Sequence, residues 1–427
     1  MKNINKFYTL FWILYFSLAL AFYNYVSDYV DEFLTLGLFI FAISRYKYWS
    51  SKEIRNEMFI YIGIMLFYLS YNLYYPNNVT NAIFLDFQQQ IRPYLVFYST
   101  LLLAPIFNPS QRKSILWVVI ISYIMTLFIL FSGGISEVLS RENAPVFGNM
   151  AMIVGMLFYI FNKKSNANTR IALLIVTTGL VTGKSKYFGE YVVFIAIFYF
   201  LKGKIRRITS LKRITQIVML VAAVLYFTWA KFNFYYIEGF EQTKTEQMSA
   251  RPATYKTGIQ IIFKDYIPFG SGLATIGTNA ASVYYPQLYY DYELYKIWGL
   301  YPEKHGHLAD AFYPTLAEFG IVGLLLFILF WFRRWREIKQ IMDDRYYKVA
   351  LMSMMCLALE SVADTSYLSN RGMGYFMLLG ICIGTIKYQP KEITQNESND
   401  GRLREGERGR SGDSHPDPGV AARVERV

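Results

Sequence analysis

The chain has 427 residues and a formal net charge of +12; 54% of its residues are hydrophobic, 18% aromatic and only 17% charged. Soluble domains carry roughly a quarter charged residues, so this balance, with a mean hydropathy of +0.23, excludes an ordinary soluble fold. The positive charge does not imply nucleic acid as a partner, because the basic residues cluster at the ends of apolar segments on one side.

Segments such as 7–26, 114–131 and 321–332 run almost free of charge between Lys/Arg clusters. Crossing a hydrocarbon core of about 30 Å takes roughly 20 such residues. The first segment is too long for a signal h-region and no small-residue cleavage site follows it, so it reads as a retained helix. In chain order, spans are expected at 7–26, 29–44, 57–75, 91–107, 114–132, 147–162, 170–183, 187–202, 213–231, 310–332, 347–365 and 371–388. The expected fold is an all-α polytopic membrane protein of about twelve transmembrane helices forming one domain over 1–390. Cys356 and Cys382 both fall in late apolar segments and read as packing residues rather than a disulfide.

Orientation follows from counting Lys and Arg in short loops. With the N-terminus in the cytoplasm, 45–56, 108–113, 163–170, 202–213 and 333–348 are inner loops and all are basic, while the short outer loops carry few cations. The expected location is a bacterial inner membrane, with both termini cytoplasmic. The long segment 232–309 then lies outside, and loops of this length are usually functional. Within it, Ile259, Ile262 and Phe263 recur at helical spacing over 254–263. Tyr284, Tyr285, Tyr289, Tyr290, Tyr292, Tyr295 and Trp298 suggest a loop lying on the membrane surface. After residue 390 the composition turns to Gly, Arg and Glu without apolar periodicity, so 391–427 reads as a disordered cytoplasmic tail. A foreign remnant or a shifted reading frame would give that composition.

Cations at the outer ends of spans call for a compensating anion. They are Arg92, Arg141, Lys184, Lys186, Arg251 and Arg371. A diphosphate at the membrane surface would suit them; the plainer reading is that each snorkels to phospholipid headgroups. A second constellation is Tyr-Pro-Glu-Lys-His305-Gly-His307-Leu-Ala-Asp310, which holds two of the chain's three histidines. Histidine is the usual general base near neutral pH, and Asp310 is placed to orient the imidazole of His307 if a helix begins there. Alternatively, Asp310 caps the helix and the histidines are polar loop residues. His305, His307 and Glu303 lack a third ligand at a recognised spacing, so no metal is expected. Glu190 and Glu360 sit within apolar spans, where carboxylates are functional suspects. Without a repeat or paired broken helices they make a poor transporter.

Four segments in order over 141–323 resemble the O-antigen polymerase and ligase superfamily, multispan bacterial enzymes acting on undecaprenyl-diphosphate-linked glycans. Ser-Arg-Glu-Asn-Ala-Pro-Val-Phe-Gly-Asn149 is similar to the family's Arg-and-Gly segment. Thr182-Gly-Lys-Ser-Lys186 is similar to its Thr-Gly-Ser-Arg turn, with lysines where arginine is usual. The stretch from Arg251 to Ile-Pro-Phe-Gly-Ser-Gly272 resembles the Arg…Pro-x-Gly-x-Gly portion of the outer loop. His307 with Leu316-Ala-Glu-Phe-Gly320-Ile-Val-Gly323 resembles the His-then-Leu-x-Glu-x-Gly-x-x-Gly motif. One departure matters: counted back from Gly320, the ligase histidine falls nearer Ala309, whereas Asp310 suits the Asp-bearing polymerases of capsule and exopolysaccharide. The base is therefore His307 or Asp310.

The resemblance implies an inverting, metal-independent glycosyl transfer in a GT-C-like fold, without a cofactor. Arg251, Arg141, Lys184 and Lys186, with Arg92 at the fourth span, would bind the lipid diphosphate and stabilise its charge. The expected partners are the lipid-linked glycan, membrane lipids, a chain-length regulator and a flippase. The favoured function is polymerisation of lipid-linked repeat units. The alternatives are ligation of a finished glycan to lipid A core or another acceptor, and transport of the same lipid.

Overall fold

Apolar segments can satisfy their backbone only from within, and helices do this without partners. The computed structural model describes residues 2–22, 30–49, 51–132, 143–201, scattered positions between 215 and 239, and 248–388. Among these residues every regular element is helical, apart from an isolated bridge between Tyr301 and Lys304. Met1–Lys387 form one compact unit. Arg141, most of the span expected at 213–231 and the tail expected at 391–427 lie outside the described residues.

The elements are α1 (Lys2–Leu14, continued by a wider turn over Tyr15–Ala21), α2 (Val30–Ser44), α3 (Lys52–Tyr74), α4 (Thr80–Leu103), α5 (Pro109–Ser132), α6 (Asn143–Phe161), α7 (Asn166–Thr178) and α8 (Ser185–Ile195). They continue with α9 (Ala250–Gln260), the short α10 (Asn279–Val283) and α11 (Leu288–Asp291), then α12 (Gly320–Ile338), α13 (Asp344–Ala363) and α14 (Asn370–Gly384). Among the described residues, four helical segments are long and apolar enough to cross a membrane: Asn3–Ala21, Pro109–Ile129, Tyr313–Ile338 and Asp344–Ala363.

The core is built around α4 and α14, which pack along each other; α2 and α3 flank α4, and α13 flanks α14. From Gly372 to Gly384 every residue of α14 is buried, as expected of a helix apolar on all sides. Polar ends are fixed locally. Ser51, Ser165, Asp343 and Ser369 each accept a backbone N–H at a helix start, which satisfies donors that the helix leaves orphaned. At the end of α12, Arg334 is fully buried, stacks over Phe97 and bonds Glu57 of α3 at 2.9 Å.

Two expected boundaries move furthest. The fourth helix begins at Thr80 rather than near residue 91, because its first turns are polar and buried against the large loop rather than apolar. The helix expected over 310–332 is divided: a 3-10 stretch, Tyr313–Phe319, stops at Gly320 (φ +61°), where α12 begins. Phe312 precedes that stretch and no side chain caps it, so Asp310 is not its cap.

The break at Gly320 is where the loop crosses the bundle. Ser271 N–H donates to Ala317 O and Gly272 N–H to Glu318 O, both at 3.0 Å. A Cβ on Gly270 (φ +82°) would lie 2.3 Å from Ala317 O, and one on Gly320 would lie 2.3 Å from Gly270 N. Only glycine allows both the positive φ and this approach. The loop beyond has its own core, including Ala253, Tyr289, Leu294, Ile297, Leu300 and Leu308. Its aromatics therefore divide: Tyr289 is buried, whereas Trp298 and Tyr290 are exposed. Along α9 and the wider turn that continues it over Ile261–Asp265, the expected apolar face also shifts. Ile261 and Ile262 are buried but Ile259 and Phe263 point outward, and Gly258 faces Pro314.

Candidate functional site

The last carbonyls of an α-helix have no intrahelical donor, and the loop docks on those of α13. Phe312 N–H donates to Ser361 O at 3.0 Å and Tyr255 OH to Val362 O at 2.9 Å. One turn back, Tyr313 OH reaches Ala358 O at 3.0 Å. Just past the helix, Thr365 Oγ1 donates to Ala309 O at 3.2 Å. Both ends of the loop are thereby held against the α13–α14 turn, and the side chains singled out in the sequence converge there.

His307 is anchored first through its backbone, whose N–H donates to Gly299 O at 3.1 Å. Its ring lies 5.0 Å from that of Trp298. Gly299 has φ +85°, and a Cβ there would lie 2.5 Å from His307 Cδ2. The imidazole Nδ1 is 2.5 Å from Asp310 Oδ2, and Arg251 of α9 lies 3.7 Å from the same oxygen. An ionised carboxylate only accepts, so the network assigns the proton to Nδ1 and leaves Nε2 as the basic nitrogen. A base held by a carboxylate on its far side is the arrangement that activates a hydroxyl. All three side chains are partly exposed: 18% for His307, 27% for Asp310 and 15% for Arg251.

Across the same turn lies a second charged group. Lys186 of α8 bonds Glu360 at 2.5 Å and also Asp364. Arg371 of α14 forks onto Asp364 through contacts of 2.9 and 2.8 Å, and Ser366 Oγ donates to Glu360 at 2.9 Å. Burial alone would raise the Asp364 pKa, but Arg371 and Lys186 hold it well below the usual carboxylate range. Two cations and two carboxylates balance here, so Lys186 and Arg371 tie α8, α13 and α14 together. Glu190 is fully buried one turn along α8 from Lys186.

The remaining sequence candidates separate from this group. His305 turns back into its own loop, where Nδ1–H donates to Pro302 O at 2.7 Å, beside the ring of Tyr285. Arg92 is buried between Asp31, Glu32 and the carbonyl of Leu368 and so braces the α13–α14 turn from the α4 side. Lys184 precedes α8, its N–H 3.4 Å from Thr182 Oγ1.

Some organising residues were not among the site candidates, although Glu318 lies within the Leu-x-Glu-x-Gly motif. Glu318 is fully buried; its Oε1 accepts from Thr275 N at 2.8 Å and Ile276 N at 3.1 Å, and Oε2 accepts from Gln90 at 3.2 Å. Asp86 accepts from Ala274 N and Asn72 from Leu273 N. These acceptors satisfy buried loop amides that would otherwise be orphaned. Asp364 was the other omission. Its signal was a carboxylate just past an apolar span, in a region that needed anions to balance Lys186 and Arg371.

Residues 171–328 match the family model described as O-Antigen ligase. This match supports the O-antigen polymerase/ligase superfamily over that segment. The matched segment runs from α7 to α12 and contains Lys184, Lys186, Arg251, His307, Asp310 and Glu318. No curated protein and no solved structure matches the chain. The matched segment and the apolar helices fit a membrane protein of ligase or polymerase type, a family of glycosyl-transferring enzymes.

Proposed function

We propose that this chain polymerises undecaprenyl-diphosphate-linked repeat units into O-antigen, capsular or exopolysaccharide by inverting, metal-independent glycosyl transfer. The observation that carries the reading is the 2.5 Å contact between His307 Nδ1 and Asp310 beside Arg251. In this mechanism an acceptor sugar hydroxyl binds at His307 Nε2. As its oxygen attacks the anomeric carbon, the proton passes to Nε2. The bond from that carbon to the diphosphate breaks, and the lipid diphosphate leaves with the electron pair from the opposite face. Asp310 keeps the imidazole in one tautomer and offsets the charge it acquires. Arg251 then stabilises the departing diphosphate, with Lys184 and Arg141 proposed as further anion ligands. Lys186 holds the surrounding turn through its two carboxylates.

In this proposal the protein has about twelve spans in a bacterial inner membrane, with cytoplasmic termini and the loop outside, and works with a flippase and a chain-length regulator. Ligation is the second reading, because the matched model is described as a ligase. Lipid-linked glycan profiling of cells carrying wild type or His307→Ala at equal membrane levels separates the two. Polymerase function predicts accumulation of single repeat units on the lipid; long lipid-linked chains would instead mean ligation. An unchanged profile would remove His307 from the chemistry.

A further inference from the structure

A separate cavity of about 920 Å³ lies at the opposite end of the bundle. It is an open cavity bounded by the starts of α5 and α13 and the end of α6. The site described above sits at the far end of α13, whose 20 residues extend about 30 Å. Five cations line the cavity, Arg112, Lys113, Lys163, Lys164 and Arg345, with one carboxylate, Asp343. That carboxylate is already engaged: it caps α13 and receives Arg345 at 3.1 Å. Lys164 also reaches Asp344 at 3.5 Å, yet the lining keeps a clear positive excess. Like charges gathered around one cavity repel unless an anion sits among them.

The rest of the lining is apolar: Leu116, Trp117, Ile120, Phe158 and Phe161. From there an exposed stripe continues along α5. Trp117, Ile121, Ile124 and Phe128 are 59%, 49%, 55% and 75% exposed at three- and four-residue spacing, which is one helix face. The stripe extends about 16 Å at 1.5 Å per residue, close to half of a hydrocarbon core of about 30 Å. An occupant that satisfies both parts is anionic at one end and apolar over the depth of one leaflet. A zwitterionic lipid would leave the charge uncompensated, whereas an anionic lipid matches the basic lining with its headgroup and the stripe with its acyl chains.

We propose that this cavity binds the phosphate headgroup of an anionic phospholipid whose acyl chains lie along the 117–128 face of α5. Basic pockets at the ends of membrane helices recognise such headgroups. The lipid is a resident ligand, distinct from the glycan-carrying substrate of the His307 site.

Trp117 provides the probe. The full chain is placed in phosphatidylcholine nanodiscs containing the same mole fraction of acyl-brominated phosphatidylglycerol or acyl-brominated phosphatidylcholine, and the Trp117 signal is taken as wild type minus Trp117→Phe. Phosphatidylglycerol should quench that signal several-fold more strongly. Lys113→Gln and Lys163→Gln should each weaken the preference about fivefold, and millimolar inorganic phosphate should not reverse it. Equal quenching of the wild-type protein by both lipids would overturn the proposal whatever the variants do. Reversal by inorganic phosphate would also overturn it, in favour of a free-anion site.

Discussion

At the residue scale, the site depends on how tightly the His307 ring is held. General-base catalysis contributes about 10²- to 10⁴-fold, so His307→Ala should lower the transfer rate by that range with substrate affinity little changed. Asp310→Asn leaves a side chain of the same shape without the charge that fixes and compensates the imidazole. Its loss should appear in kcat rather than KM in a reconstituted transfer assay. Gly299→Ala is a sharper test of placement. Its methyl would meet His307 Cδ2 at 2.5 Å, at a φ of +85°; the left-handed strain alone is about 1–2 kcal/mol. Activity should fall toward the His307→Ala level, and unchanged activity would show that the observed ring position is not used. The sequence pattern made His307 and Asp310 suspects through residue type and spacing. It left the base open between His307 and Asp310, because which way a non-helical turn directs each side chain is not encoded in their spacing.

At the scale of elements, the α13–α14 turn is held by charge and the loop base by shape. Removing one member of a buried charge cluster leaves its partners uncompensated and costs about 3–5 kcal/mol. Asp364→Asn should therefore lower thermal stability markedly, and the paired change Asp364→Leu with Lys186→Met should be milder than the two singles combined. Because Asp364 has a depressed pKa in the folded state, its contribution is complete above the ordinary carboxylate value near 3.9. It is lost as pH falls below that and through the folded value. A melting series in acid should show wild type losing stability in this range and Asp364→Asn losing less. At the loop base, Glu318→Ala would strip acceptors from two buried amides at about 1–3 kcal/mol each, so the protein should melt earlier and reach lower membrane levels. The Gly-x-Gly and Leu-x-Glu-x-Gly segments were legible as motifs. Their reason was not, since it lies in one docking against the other across 47 residues of chain, from Ser271 N to Ala317 O and Gly272 N to Glu318 O.

At the scale of the whole molecule, the proposed orientation puts the loop and the basic cavity on opposite membrane faces. In a background with the two buried cysteines replaced by alanine, Lys304→Cys should react with an impermeant maleimide in spheroplasts. Lys164→Cys should react only after permeabilisation. Labelling of both positions from one side would invalidate the orientation and the placement of the proposed lipid.

The sequence by itself determined that this is a membrane protein and where most helices lie, because hydrophobic transfer and backbone satisfaction are local, additive properties of a segment. It also carried the resemblance to the superfamily, through motifs whose order survives in one dimension. Tertiary structure alone decided which carboxylate meets which cation. Arg92, Lys186 and Arg251 share one sequence signature, yet the first two meet Asp31, Glu32, Glu360 and Asp364, whereas Arg251 lies beside the His307–Asp310 pair. Electrostatic partnership depends on distances between helices remote in the chain, and no local pattern encodes those distances.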